Sequence, residues 1–420
     1  MGNLFTPYRL GNLELRNRTV RSAAFEAMCP GNRPSQELFD YHTAVARGGI
    51  GMTTVAYASV CQSGISFDTQ LWMRPEIVPE LKKLTDAIHA EGAKASIQLG
   101  HCGNMTHRRT CGCMPMGASN GFNLYSPTFY RKMTREDIDF VAKSFGEATK
   151  LCIEAGFDAV EIHAGHGYLI SQFLSPYTNR RRDEFGGSLE NRMRFMKMCF
   201  EEVLKAADGR IAVTAKLNTR DGFKGGQETD ELIECAKVLR DMGVQAIALS
   251  GGFVSRAPMY VMRGQFPVMT FVHYMPWRQW WLKAGVSVFG KLASPTVPFR
   301  KLFFLEDAKK FQAAMPGYPF MYVGGVTTRE DADRIIDEEG FPLLQMGRAV
   351  LEDTDFVNKM AADEKHCSRC EHSNFCIGRM YSKSMQCSKV CEDITPAQKR
   401  YIARINRQND RMERKLGYKK

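Results

Sequence analysis

The run Phe157-Asp158-Ala159-Val160-Glu161-Ile162-His163-Ala164-Gly165-His166-Gly167-Tyr168 decides how this chain is read. Its first half is an apolar, strand-like stretch. Its second half sets two imidazoles three residues apart and a phenol two residues beyond them. At a strand end, His163, His166 and Tyr168 line one concave site. Imidazoles donate hydrogen bonds to a carbonyl oxygen, and a phenol hands over a proton. A histidine pair of this kind also suits a zinc site or a plain surface turn.

Outward from this run, strand-like and helix-like patterns alternate. Strands are expected at 19–24, 49–57, 94–99, 159–163, 212–217, 246–250, 320–323 and 343–346. Apolar residues recur at helical spacing over 77–91, 135–155, 189–207, 229–242 and 329–338. Thr134-Arg135-Glu136-Asp137 reads as a capping box opening the second of these helices. Eight strands separated by helices imply a parallel sheet, whose closed form is the α/β fold called the (β/α)8 TIM barrel. Chemistry in such a barrel sits at the C-terminal strand ends. Gln98, His163, Lys216, Ser250-Gly251-Gly252, Gly324-Gly325 and Gly347-Arg348 all fall there.

At 420 residues, with ordinary hydrophobic and charged fractions, the chain suits one such barrel. No apolar run reaches the length of a membrane span, and the N-terminus lacks the apolar centre of a signal peptide. Gly2 and Thr6 formally fit a myristoylation pattern. Thirteen cysteines without a secretory signal favour a reducing cytoplasm over a disulfide framework. The net charge of +11 is uneven, because residues 396–420 hold nine Lys or Arg against two acids. The remainder is nearly balanced, so the charge does not point to a nucleic-acid partner. Thr395-Pro396 supplies a cap and a first-turn proline for a C-terminal helix with apolar Ala397, Tyr401, Ile405, Met412 and Leu416. Its basic face is read first as solvated.

Two insertions interrupt the rhythm. Residues 101–129 are rich in Gly, Cys, Met and Ser and read as a long loop over the barrel mouth. Residues 253–305, after the sixth strand, carry three of the four tryptophans, and no acid lies between Asp241 and Glu306. That basic, aromatic excursion suits a substrate lid, a homo-oligomer surface, a membrane-interface patch or a small satellite core. The expected division is a barrel over 1–360, with the insertion at about 253–305, and a Cys-rich, helical extension over 361–420.

The longer string from Glu161 to Phe195, EIHAGHGYLISQFLSPYTNRRRDEFGGSLENRMRF, closely resembles the Old Yellow Enzyme family of FMN-dependent ene-reductases. Within that family the chain looks most like the barrel of dienoyl-CoA and enoate reductases. The resemblance implies that Ala23, Ala24 and Ala56 approach the flavin ring. It implies that Gln98 pairs with the flavin pyrimidine and that Lys216 faces N1 and the C2 carbonyl. It assigns the phosphate to Gly324, Gly325, Gly347 and Arg348, as barrel phosphate cups also suggest. His163 and His166 then match the pair that holds a substrate carbonyl, and Tyr168 matches the proton donor. Arg192 reads as architectural, pairing with a nearby acid such as Glu190. The implied activity is NAD(P)H-driven reduction of the C=C bond in a small-molecule α,β-unsaturated carbonyl compound.

Two departures stand out. Phe25 lies where other branches carry Thr or Cys near the flavin. Cys367, Cys370, Cys376 and Cys387 lie where the dienoyl-CoA reductase branch holds a 4Fe-4S cluster, but the second gap is longer. Such thiols suit an iron–sulfur cluster, a zinc ion or no metal at all. An alternative function follows from the first of these: a flavin dehydrogenase or demethylase, or a ferredoxin-linked reductase, using a cluster. A third class is a non-catalytic flavin-binding or membrane-docking protein.

Overall fold

Eight parallel strands close on themselves in chain order: β1 (Thr19–Arg21), β2 (Met52–Ser59), β3 (Lys94–Gly100), β4 (Ala159–His163), β5 (Ala212–Asn218), β6 (Ala246–Ser250), β7 (Phe320–Val323) and β8 (Leu343–Met346). β8 closes onto β1 by pairing Leu344 with Thr19 and Met346 with Arg21. This computed structural model describes residues 2–275, 277 and 280–418. Five longer helices pack outside the strands: α1 (Gln36–Arg47), α2 (Val78–Ala90), α3 (Arg135–Glu154), α4 (Leu189–Ala207) and α5 (Thr229–Asp241). The fold is the (β/α)8 barrel. Thr134 and Asp137 form the expected capping box, bonding each other's backbone N–H groups at the start of α3.

The insertion after β6 is helical, with α6 (Val268–Tyr274) and α7 (Trp280–Ala293). The barrel resumes with α8 (Leu305–Ala314), α9 (Arg329–Asp333) and α10 (Phe356–Ala362). Beyond it lie α11 (Phe375–Arg379) and α12 (Pro396–Lys415), the latter opened by a Thr395–Gln398 capping box.

Several boundaries differ from the sequence reading. The helix expected over 329–338 is α-helical only to Asp333 and continues as a π turn. The first insertion is not plain loop: Met116–Gly117, Gly121–Asn123 and Thr128–Lys132 form a small sheet. These strands are too short for any alternation to show. Arg192 pairs with Glu231 on α5 at 2.5 Å, not with Glu190 beside it. Residue 190 is two positions from 192 on a helix, so the two side chains diverge.

The barrel interior is layered by the two-residue strand period. Ala159, Ala212, Ala246, Met52, Met321 and Leu343 pack in an apolar bottom layer. The antiparallel pair Tyr8–Leu10 and Leu13–Leu15 plugs that end with three leucines. Two residues further along the strands, the layer turns polar with Glu161, Thr214 and Gln345, all buried.

The first strand was expected to reach Ala24 but leaves the sheet after Arg21. The reason is a buried polar knot. Arg21 meets Glu26 at 2.6 Å, with both side chains at most 2% exposed. The guanidinium also donates to Thr54 O, and Ala56 N–H donates to the Glu26 carboxylate. Ala56 lies where the β2–β3 register shifts, so its amide is free for this bond. His42 adds a 3.4 Å contact to Glu26 from α1. The knot therefore bends the chain that carries Ala23 and Ala24 across the end of β2.

Glu26→Ala should leave the Arg21 cation buried and unpaired. Breaking a buried pair in this way costs roughly 3–5 kcal/mol. Denaturant unfolding should show that loss, and a change below about 1 kcal/mol would mean the knot does not hold the strand end.

Candidate active site

Glu161 organises the polar layer. Its Oε1 accepts from Lys216 Nζ at 2.8 Å and from Gln98 Nε2 at 2.7 Å. Its Oε2 accepts from Gln345 Nε2 at 2.8 Å. Gln98 stands opposite Glu161 in the β3–β4 register, while Gln345 reaches it from β8 across the barrel. Lys216 also donates to Ser22 Oγ at 3.3 Å. All five side chains are buried. Gln98 and Lys216 were expected from the sequence, but Glu161, Gln345 and Ser22 were not singled out. Glu161 does carry a signal in the sequence, since a charged residue in an otherwise apolar barrel strand needs a buried partner.

His163 lies one strand period above Glu161, beside Lys216 in the β4–β5 register. The His163 ring is 5.0 Å from the His166 ring and 4.5 Å from the Tyr168 ring, between centroids. The structure thus brings the three expected side chains together. The turn that does so is pinned by Asn218, whose Oδ1 accepts from His166 N–H at 2.9 Å. His166 adopts a left-handed φ of 58°. Gly167 follows at φ 79°, where an added Cβ would strike the Phe253 ring. His166 Nε2 lies 2.7 Å from Ser250 Oγ at the end of β6. His163 Nδ1 accepts weakly from Gly165 N–H, which leaves Nε2 as the protonated nitrogen.

Both imidazoles are held neutral. Burial, then the neighbouring His166 imidazole and the Lys216 cation, keep His163 well below the usual histidine range. Burial and Lys216 bring His166 down to about 3. Burial pushes the Tyr168 phenol up, so it stays protonated. Tyr57 packs 4.8 Å from Tyr168 and shares a hydrogen bond with Ser66. From Tyr57 an aromatic path runs through Phe25 and Phe67 to Tyr381. Tyr125 and Phe271 flank Tyr381 from the first insertion and from α6.

A cavity of about 150 Å³ lies at the ends of β7, β8 and β1. Ser22, Ala24, Gly324, Gly325, Gly347 and Arg348 are among its walls. A Cβ at Gly325 would come within 2.6 Å of Leu302 N, whereas a Cβ at Gly347 would meet nothing within 4 Å. Gly347 therefore opens a cradle beside the Arg348 guanidinium. Among the described residues, Arg348 donates one hydrogen bond, 3.3 Å to Asn374 Oδ1. An open, glycine-walled cradle with a guanidinium at its edge fits a flavin phosphate. Gln98 and Lys216 are turned onto Glu161, and Gln345 and Ser22, which bond Glu161 and Lys216, reach the wall of this cavity.

Cys370 and Cys376 line the same cavity. Cys387 lies close enough to influence the Cys376 thiol electrostatically. Cys367 is exposed, in an isolated bridge to Thr328. Among the described residues no three His, Cys, Asp or Glu side chains stand at metal-binding separation. The four thiols therefore do not form a ready cluster cage here.

Residues 3–273 match the NADH:flavin oxidoreductase / NADH oxidase family, and the chain belongs to it. Over 381 residues it is 36% identical to 4,4'-dithiodibutanoate disulfide reductase of Rhodococcus erythropolis, covering 90% of this chain and 93% of that protein. An NADPH dehydrogenase of Listeria welshimeri is 36% identical over 370 residues, 86% of this chain and 95% of that protein. A solved 2-naphthoyl-CoA reductase complex superposes with a TM-score of 0.79 at 23% identity, covering 95% of this chain and 58% of that one. An Old Yellow Enzyme homologue from Zymomonas mobilis superposes with a TM-score of 0.67 at 21% identity, covering 88% and 96%. At these identities the solved structures show the fold. Family membership makes the chain an NAD(P)H-dependent flavin oxidoreductase that uses FMN. No helix among the described residues is long and apolar enough to cross a membrane.

Glu161→Gln should remove the counter-charge of a buried lysine. The apo protein should lose roughly 3–5 kcal/mol of stability. Added FMN should recover part of it, so the gain on FMN binding should exceed that of the parent in denaturant titrations. Unchanged apo stability would show that Glu161 does not hold the cation.

Cys367→Ser with Cys370→Ser should retain FMN, and its flavin should still be reduced by NAD(P)H. Absorbance spectra with iron and sulfide analysis of the parent check this. A parent that contains iron and sulfide, with a variant that binds FMN but resists reduction by NAD(P)H, would instead make a cluster the electron entry point.

Proposed function

We propose that this enzyme reduces the C=C bond of an α,β-unsaturated carbonyl compound at the expense of NAD(P)H. The observation that supports this most is two neutral imidazoles and a protonated phenol converging at the end of β4. Bound FMN supplies hydride acceptance from NAD(P)H and hydride delivery to the substrate. Ala23, Ala24 and Ala56 would border its ring, Gln98 and Lys216 its pyrimidine edge, and Gly324, Gly325, Gly347 and Arg348 its phosphate. The barrel over 1–360 would hold this site, with 361–420 as a cap.

His163 and His166 donate to the substrate carbonyl oxygen and draw electron density from the β-carbon. Being neutral, they orient that oxygen without consuming protons near pH 7. Tyr168 holds a proton for the α-carbon, and burial keeps that proton in place until the carbanion develops. The rings of Phe25, Phe67, Tyr125, Phe271 and Tyr381 favour a bulky, apolar substrate body, such as a steroid-like enone. The site is read as cytoplasmic, where NAD(P)H is available.

A second reading is reduction of an organic disulfide. It is favoured by the 36% identity to the Rhodococcus enzyme of that name. Disulfide cleavage needs no proton placed on carbon, so Tyr168 separates the two readings.

Tyr168→Phe should leave reduction of the flavin by NAD(P)H unchanged and slow enone reduction ~10²–10⁴-fold. Stopped-flow measurement of the two half-reactions checks this. Equal losses in both would remove Tyr168 from the proton-donor role. Fast parental turnover of a disulfide, indifferent to Tyr168, with slow turnover of enones, would put the second reading first.

A further inference from the structure

Two elements that the chemistry leaves unused, one basic and one aromatic, neighbour each other through α6. α12 buries Gln398, Ile402, Ile405, Asn409 and Glu413. Its other side presents Arg400, Arg404, Arg407, Arg411 and Arg414, all exposed. Steps of four, three, four and three residues stack these side chains in one stripe along a helix. Two acids share this helix with the five arginines, Asp410 beside the stripe and the buried Glu413. A stripe made only for solubility is usually interleaved with acids.

α12 packs on α6, with the Tyr401 side chain against the Met269 backbone, and α6 packs on α7. Trp277, just before α7, is 76% exposed, and Trp280, Trp281 and Val288 on α7 are 70%, 57% and 65% exposed. No acid occurs from residue 242 to 305, while seven Lys or Arg do. Exposed indoles and an excess of cations suit the headgroup region of an anionic bilayer: indole enters the boundary and arginine meets lipid phosphate.

We propose that this flank, the arginine stripe of α12 with the tryptophans of α7, docks the enzyme on an anionic phospholipid surface. A symmetric pair of chains joined here would set arginines against arginines. A nucleic acid would satisfy the arginines but leave the apolar α7 surface, Val288 included, unaccounted for. α6 also links the flank to the site, since Phe271 of α6 packs 4.7 Å from Tyr381 at the mouth. Docking would therefore hold the mouth near the phase where apolar substrates collect. The proposal stands on the surface alone and does not depend on which bond is reduced.

The test is flotation of the full-length, FMN-loaded enzyme with phosphatidylcholine vesicles, with and without phosphatidylserine, read with tryptophan emission. Binding should need phosphatidylserine, weaken with salt and shift the emission to the blue. Arg404→Glu with Arg407→Glu and Arg411→Glu should abolish binding, and Trp280→Ser with Trp281→Ser should cut it about tenfold or more. Flavin content reports folding; if the charge-reversed protein loses FMN, Arg→Gln at the same three positions replaces it. Absence of vesicle binding, equal binding to pure phosphatidylcholine, or binding unchanged in the folded variants would each overturn the proposal. So would tighter binding to a single-stranded oligonucleotide that ignores the tryptophan changes, which would make the stripe a nucleic-acid site.

Discussion

A carboxylate in the middle of a closed barrel sets the terms for the site above it. Glu161 sits on the inner side of β4, between an apolar floor and His163. Alone it would be an unsolvated anion, which proteins do not tolerate. Lys216 neutralises it, and Gln98 and Gln345 each donate one further hydrogen bond. The cost of desolvation is offset only because three strands deliver donors to one point. That requirement ties together β3, β4, β5 and β8 and fixes the depth at which Lys216 and Gln98 stand. It also keeps a cation beside His163 and His166, one reason both imidazoles stay neutral.

The Arg21–Glu26 knot plays a matching part at the barrel's other seam. It satisfies the Ala56 amide at the register shift and turns the chain out of β1. The small residues at 23, 24 and 56 are thereby brought to the top of the barrel. Glu26 O also accepts from Met385 N–H at 2.7 Å, so the same turn anchors the C-terminal extension. That extension supplies Tyr381 to the mouth and Cys370 and Cys376 to the wall of the glycine-lined cavity. Barrel and extension thus share one site.

Much of the scaffold was legible because its signals are local. β4, β6, β7 and β8 run where the apolar pattern put them. The caps at Thr134 and Thr395 were readable because a side chain bonds an amide three residues away. The boundaries that moved were set by specific side-chain partners. β1 ends early because Glu26, five residues on, must reach Arg21. The acid for Arg192 came from another helix, and neighbouring residues in sequence held no clue to it.

The sequence by itself determined the fold class, the barrel strands and the identity of His163, His166, Tyr168, Gln98 and Lys216 as the residues to watch. Strand period and strand-end chemistry are properties of short segments, so they survive without coordinates. Only the tertiary structure decided that Glu161 is the common partner of Gln98, Lys216 and Gln345. It alone showed that Tyr381 meets Phe67 and Phe271, and that the four C-terminal cysteines do not stand as one cage. The Glu161 and Tyr381 contacts depend on side chains from segments tens to hundreds of residues apart. Their meeting is set by barrel closure and loop packing, which no local pattern encodes.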